Sequence, residues 1–309
     1  MDPLLLLLQL LMLLAFAPLL QGMIKTTKAR WQGRRGPGLL QPYWDLAKLF
    51  TRESVVSDHA SWISRGAPAV YAAAIVAAAV LIPTVARRSA AAGIGDIVVF
   101  VGLLALARFA ISLAALDTAS NFGGMGASRE VAFAALIEPA LLIVLFAVAL
   151  PVGSTSFSAL VTGTPPGAGA LLGFGALLIV AIAETGRIPI DNPDTHLELT
   201  MIHEGMVLEQ SGRPLGIVFW ASQIKQFAML ALIAALFLPW GMAAATDRAP
   251  LALLGGAVAL AAKVAILGLL LATIESGLAK LRIFQAPYLL GFASILGILA
   301  VLFTSVIAR

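Results

Sequence analysis

Carboxylates, imidazoles and guanidinium groups crowd one segment of the chain, residues 183–214, AETGRIPIDNPDTHLELTMIHEGMVLEQSGRP. Glu184 closes an apolar run, where a carboxylate is costly unless it is paired or faces a polar cavity. Arg187 is three residues on, close enough in sequence to pair with it across one helical turn. Pro189 and Pro193 keep the following stretch extended, and Asp194 or Thr195 suits the N-cap of a new helix carrying Glu198, His203, Glu204 and Glu209. His196, His203 and Glu204 raise the question of a metal. They lack the i, i+4 histidine pairing of a zinc-protease helix, so no metal is expected, and a solvated loop helix is the plain alternative.

A second constellation is scattered through the apolar stretches: Asp96, Arg108, Glu130, Glu138, Glu184, Lys225, Lys263 and Glu275. A charge at the bilayer centre costs about 2.5–3.5 kcal/mol, so such a set is expensive unless it faces inward. Buried acids and lysines are the parts from which proton relays are built, and Glu138, Lys225 and Lys263 are read as members of one. Glu138 has no cation within one helical turn, so nothing nearby in sequence offsets its desolvation. Pro139 after it frees a backbone carbonyl one turn earlier that suits a water. Asp96, Glu130 and Glu275 lie at span ends, where snorkelling into the interface is an equally good account.

The third group is KARWQGRRGPGLLQPYWDLAKLFTRE, residues 28–53. Arg34 and Arg35 precede a rigid turn at Gly36-Pro37-Gly38, an arrangement suited to carboxylates on a partner. Beyond it, Tyr43, Leu46, Ala47 and Phe50 fall on one helical face, with Asp45 and Lys48 off the stripe. This is the pattern of an amphipathic helix at the membrane surface. A basic loop that only obeys the positive-inside rule is the alternative.

What must position these groups is set by composition. Of 309 residues, 60% are hydrophobic and only 12% charged, about half the charge of an ordinary soluble domain. No cysteine is present, which removes disulfides, thiolate zinc sites, iron–sulfur ligation and covalent haem attachment from this chain. Its three histidines lie in loops, which excludes axial haem ligation within the spans. Apolar runs long enough to span lipid occur at about 3–24, 63–86, 94–116, 130–151, 168–186, 216–242, 251–276 and 286–307. The expected fold is therefore all-α: a single integral membrane domain over 1–309 with about eight transmembrane helices. The first run begins with Asp2 and is followed by Lys25, Lys28 and Arg30, so it reads as a retained helix with its N-terminus outside.

That orientation places Lys25, Lys28, Arg30, Arg34, Arg35, Lys48, Arg52, Arg65, Arg129, Arg187, Arg213, Lys280 and Arg282 inside. Only Arg87, Arg88, Arg248 and Arg309 remain outside. Both termini are thus expected outside, and the net charge of +4 reflects membrane orientation rather than nucleic-acid binding. The outward loop 152–167 is uncharged and rich in Gly, Ser, Thr and Pro, so it reads as a passive connector. The long inward segments are where a cytoplasmic partner would dock.

Two of these segments, RRGPGLLQPYWDLAKLF and ETGRIPIDNPDTHLELTMIHEGMVLE, resemble the respiratory-chain NADH dehydrogenase subunit 1 family. The resemblance is nearest to its branch in formate hydrogenlyase (subunit 4) and other energy-converting membrane-bound nickel–iron hydrogenases. Gly36-Pro37 runs directly into Gly38-Leu39-Leu40-Gln41-Pro42 without the additional residues of the complex I version. Gly186 and Ile190 stand where complex I has Asn and Phe. The departure weakens the case for a quinone site, although Asp45 and Lys48 match positions near that family's quinone chamber.

The resemblance implies a chain that does no bond chemistry itself. It would sit in a bacterial or archaeal cytoplasmic membrane, anchor a cytoplasmic module and couple its electron transfer to proton or sodium-ion movement. The nickel–iron (NiFe) centre and Fe–S clusters would lie in partners: hydrogenase large and small subunits and an Fe–S subunit, beside antiporter-like membrane subunits. Glu184 and Arg187 match the family's Glu-Thr-x-Arg element at the entrance of an internal polar path, and Asp191 and Glu198 match acids at the same entrance. Arg34, Arg35, Gly36, Pro37, Asp45 and Lys48 are the expected docking residues.

A quinone-reducing complex I subunit is the second reading, distinguished by copurification with an NADH-oxidising module. A stand-alone secondary transporter is the third, and the paired inverted repeats it would usually carry are not visible. The topology has a direct check. Single cysteines at Thr51, Asp194 and Ser276 should resist a membrane-impermeant thiol reagent in intact cells, and labelling of Asp194 from outside a sealed membrane would overturn it.

Overall fold

The computed structural model describes residues 3–57, 59–89, 93–163, 167–192, 201–247 and 249–304. The described residues form α-helices and short connections, with no β-strand longer than an isolated bridge. Seven helical stretches are long and apolar enough to cross a bilayer. They contain α1 (Pro3–Trp31), α3 (Trp62–Leu81), α4 (Ile97–Asp117), α5 (Asn121–Val152), α9 (Gly212–Phe237), α10 (Pro250–Gly277) and α11 (Ala286–Leu302). The remaining expected span is α7 (Ala168–Glu184), an apolar helix of 17 residues, about 25 Å long and at the lower limit for spanning. Each of the eight apolar runs therefore carries a helix. Arg309 and Arg248, counted above as outward cations, lie outside the described residues, as do Asp194, Thr195, His196 and Glu198.

α9 is the centre of the bundle, with 72% of its most apolar window buried. It touches α1, α2 (Gln41–Thr51), α3, α7 and α10. α3 packs on α4, and α11 packs on both α5 and α7. The helices are apolar on nearly all sides, because lipid solvates one face and neighbouring helices the other.

Two connections differ from expectation. The segment 152–167 contains α6 (Phe157–Gly163), whose Phe157, Leu160 and Val161 are buried. Phe157 stacks edge-on against Phe100 with ring centroids 5.6 Å apart. Three apolar residues at i, i+3 and i+4 make it a packed helix rather than a passive connector. α2 forms where expected, but its buried residues are Pro42 and Leu46, while Ala47 is exposed. The helix is held by its contacts with α1 and α9, including a Tyr43 hydroxyl that donates to the Ala15 carbonyl and an edge contact of Phe50 with Trp220. Its turn is closed by Thr26, whose hydroxyl donates to the Pro37 carbonyl at 2.8 Å. A Cβ on Gly36 would fall 2.8 Å from that of Ala29, so the loop needs glycine to fold back onto α1.

Candidate functional site

The two motif-bearing segments meet at an internal cavity of about 420 Å³. Its wall takes Gln21 and Lys25 from α1, Asp45 and Lys48 from α2, Tyr71 from α3, Arg108 from α4 and Glu130 from α5. Gly186, Arg187 and Asp191 follow α7, His203 opens α8 (His203–Val207), and Lys225 comes from α9.

α7 ends in a Schellman turn. Gly186 has φ +59°, its N–H donates to Ala183, and the Arg187 N–H donates to Ile182 at 3.0 Å. Glycine is the natural occupant of that left-handed position. A Cβ there would also fall 2.7 Å from Nδ1 of His203. The turn redirects the backbone, so Glu184 and Arg187 do not pair as their spacing implies. Asp191 then fastens the segment. It accepts from the backbone N–H groups of Ile202 and His203, each at 3.3 Å, and from Lys280 at 2.9 Å.

Arg108 organises the inner end of the cavity. Its Nε lies 3.1 Å from Glu130, and its two terminal nitrogens bind Glu138 and Glu184. Lys225 approaches the other oxygen of Glu184 at 3.5 Å. His203 lies 3.7 Å from Glu130 and 4.0 Å from Asp191. Two permanent cations thus face three carboxylates, with an imidazole at hand to add a third positive charge when protonated. Glu130 is buried between helices rather than snorkelling, and Glu138 does have a cation, supplied by the neighbouring α4 instead of its own helix. Of the three carboxylates on Arg108, Glu138 is the one that reaches out of the cluster, with 34% of its side chain exposed against 6% for Glu130 and 1% for Glu184.

Lys263 is not part of this cluster. It is buried on α10 with its ammonium 4.7 Å from the Trp240 ring centroid. Glu198 lies outside the described residues. Arg34, Arg35, Gly36 and Pro37 line a separate groove together with Lys25 and Lys28. Asp45 and Lys48 are exposed and stand on the cavity wall. Arg108 was counted among the charges of the apolar stretches but not assigned to the site, and Tyr71 was not named at all. The signal for Arg108 was an arginine in mid-span, the placement that lipid tolerates least. Tyr71 gave none, being one aromatic in an apolar helix. No group of three or more His, Cys, Asp or Glu fit to hold a metal occurs among the described residues.

Fold and site define a multi-pass membrane protein with a network of charges between its helices and a cavity beside it. The family described as NADH dehydrogenase matches residues 4–306, and the chain belongs to that family. It is 34% identical over 288 residues to formate hydrogenlyase subunit 4 of Escherichia coli (strain K12), covering 91% of this chain and 92% of the relative. It is 36% identical to hydrogenase-4 component C of the same organism, covering 89% and 87%. NADH-quinone oxidoreductase subunit 8 of Rhodothermus marinus is 32% identical over 66% of this chain and 62% of its own length. Among solved structures, a chain of the membrane-bound sulfane sulfur reductase, an archaeal respiratory membrane complex, superposes with a TM-score of 0.83. The superposition covers 97% of this chain and 99% of that one at 22% identity, a likeness of fold.

Removing Arg108 should leave Glu130, Glu138 and Glu184 with too little positive charge between helices. Arg108→Leu is expected to destabilise the detergent-extracted protein by about 3–5 kcal/mol, and adding Glu184→Gln should recover part of the loss. Thermal melting of the two variants checks both expectations.

Proposed function

We propose that this chain is the membrane-anchoring, ion-coupling subunit of a membrane-bound hydrogenase complex of the formate hydrogenlyase type, resident in the cytoplasmic membrane. The observation that carries the reading is the linked run of charges from the inward cavity to Glu138. His203 and Lys225 meet Glu130 and Glu184, and both acids meet Arg108, which also holds Glu138. Ions move along such a run when each carboxylate can exchange its proton while its neighbours keep the charge balanced. Glu138, Glu184, Lys225, Arg187 and Asp191 are assigned to this path or its entrance, with Glu198 assigned to the entrance on its motif alone. Lys263, apart from the cluster, is assigned to the outward half.

The chain itself supplies position and proton exchange rather than bond chemistry. NiFe and Fe–S centres would be carried by the large, small and Fe–S subunits of the complex, docked on the inward face, with antiporter-like subunits beside it in the membrane. Arg34 and Arg35 line a basic groove, where forked cations beside a rigid turn suit a partner's carboxylates. The similarity to formate hydrogenlyase subunit 4 along nearly the whole of both chains supports this assignment.

One observation favours a second reading. The cavity volume lies within the range of small-molecule sites, and relatives named as NADH-quinone oxidoreductase subunits match about two thirds of the chain. Under that reading a quinone enters the cavity, and quinone-site inhibitors would stop electron transfer in the intact complex. Under the hydrogenase reading they have no effect.

Two tests follow the first reading. In membrane vesicles, Glu184→Gln and Glu138→Gln should lower the ions moved per turnover while hydrogenase activity with an artificial electron donor persists. Wild-type pumping in both variants would make these carboxylates structural. Replacing Arg34 and Arg35 together with Ala should release the hydrogenase subunits into the soluble fraction, and their full retention on the membrane would remove the docking role.

A further inference from the structure

A second polar cluster lies apart from Arg108, where α1, α9, α10 and the turn after α7 meet. Its centre is Arg187, which donates to the side-chain oxygens of Gln21 and Gln226 and lies 3.6 Å from Glu275. Glu275 is buried, with 1% of its side chain exposed, and its second oxygen accepts from Lys28 at 3.1 Å. Lys28 lines the basic groove beside Gly36 and Pro37, whereas Arg187 lines the internal cavity. Glu275 therefore lies between two spaces on the side of the bundle that carries both motif-bearing loops.

The cluster is rich in polar atoms left without a hydrogen bond among the described residues: Gln223 Oε1, Gln226 Nε2, Glu275 Oε1 and Ser276 Oγ. Buried donors and acceptors are almost always satisfied, so these four, on the contacting helices α9 and α10, call for partners. Water is the partner that fits, because it accepts from Nε2, donates to the carbonyl and carboxylate oxygens, and can do both with the hydroxyl.

We propose that a second, hydrated branch runs from the groove at Gly36-Pro37 to the cavity through Glu275, and that Glu275 is its proton-carrying residue. A proton taken up by the Glu275 carboxylate from water at the Lys28 end, and released to water at the Arg187 end, returns the group to its starting charge. Lys28 and Arg187 hold the carboxylate between the two spaces. The hydration stands by itself, and only the use of the branch rests on the ion-coupling reading above.

The test uses the complete complex in inside-out vesicles and the absence of cysteine from this chain. Ser276→Cys, a near-isosteric change at one of the unsatisfied atoms, is treated with a small charged methanethiosulfonate from the inward face. Ala231→Cys, at a fully buried apolar position on α9, serves as the dry reference, and the adduct is read from the mass of this chain. Modification of Ser276→Cys with Ala231→Cys inert is the expected result, and equal inertness of the two overturns the branch. Independently, Glu275→Gln should cause a partial loss of ions moved per turnover, since the Arg108 route persists. Unchanged pumping in Glu275→Gln alongside impaired Glu184→Gln removes Glu275 from the path without touching the main reading. Unchanged pumping in both fails the coupling role of each, while the labelling result still decides whether the branch is wet.

Discussion

The guanidinium of Arg108 is the constraint around which this bundle is arranged. A lone arginine between transmembrane helices is untenable in hydrocarbon, and three lone carboxylates are worse. Bound together, and with Lys225 beside Glu184, two cations offset two of the three carboxylate charges, and the groups make hydrogen bonds to one another. Three helices must then stay in contact at that depth: α4 for the arginine, α5 for Glu130 and Glu138, and α7 for Glu184. α9 adds Lys225 from the far side. The shortness of α7 belongs to the same arrangement, because the Schellman turn at Gly186 ends the helix as soon as its terminal acid has met the cluster.

The turn also explains how the motif-bearing loops and the buried charges are joined. Immediately after it come Arg187 and Asp191, which tie α1, α9, α10 and the loop carrying Lys280 to one backbone segment. α2, from the other motif-bearing loop, forms part of the same cavity wall. A movement of α2, or of the segment after α7, driven by a docked partner would therefore reach groups that contact the charge network directly. This is the physical basis on which electron transfer outside the membrane could bias ion binding within it: both act on one small set of side chains.

Hydropathy made the spans legible, because the need to hide backbone polar groups in lipid is written locally as an uninterrupted apolar run. The motif residues of both loops were legible by type and density. Pairing was not. Glu184 and Arg187 are three apart, yet a left-handed glycine between them sends Arg187 to Gln21 and Gln226 while Glu184 finds Arg108, seventy-six residues away. Glu138 lacks a cation within its own helical turn, and only the docking of α4 supplies one. Glu130 and Glu275 sit near span ends, where sequence alone cannot tell snorkelling from inward burial. α6 escaped notice because its Gly-, Ser- and Thr-rich surroundings masked three apolar residues at helical spacing. The misreadings of Glu138, Glu130 and Glu275 share one cause: each depends on which helix lies next door, and that is settled by tertiary packing rather than local pattern.

The central claim is that Arg108 and Glu184 act as one unit in ion coupling, and a double-mutant cycle addresses it most directly. Ions moved per electron pair would be measured in sealed vesicles for Arg108→Gln, Glu184→Gln and the combined variant, with membrane assembly matched by quantifying this chain. If the two side chains form a single coupled element, either change alone removes most of the pumping and the combination removes no more. Losses that simply add, or pumping that survives both changes, would contradict the account and leave the buried charge cluster as a device of the fold alone.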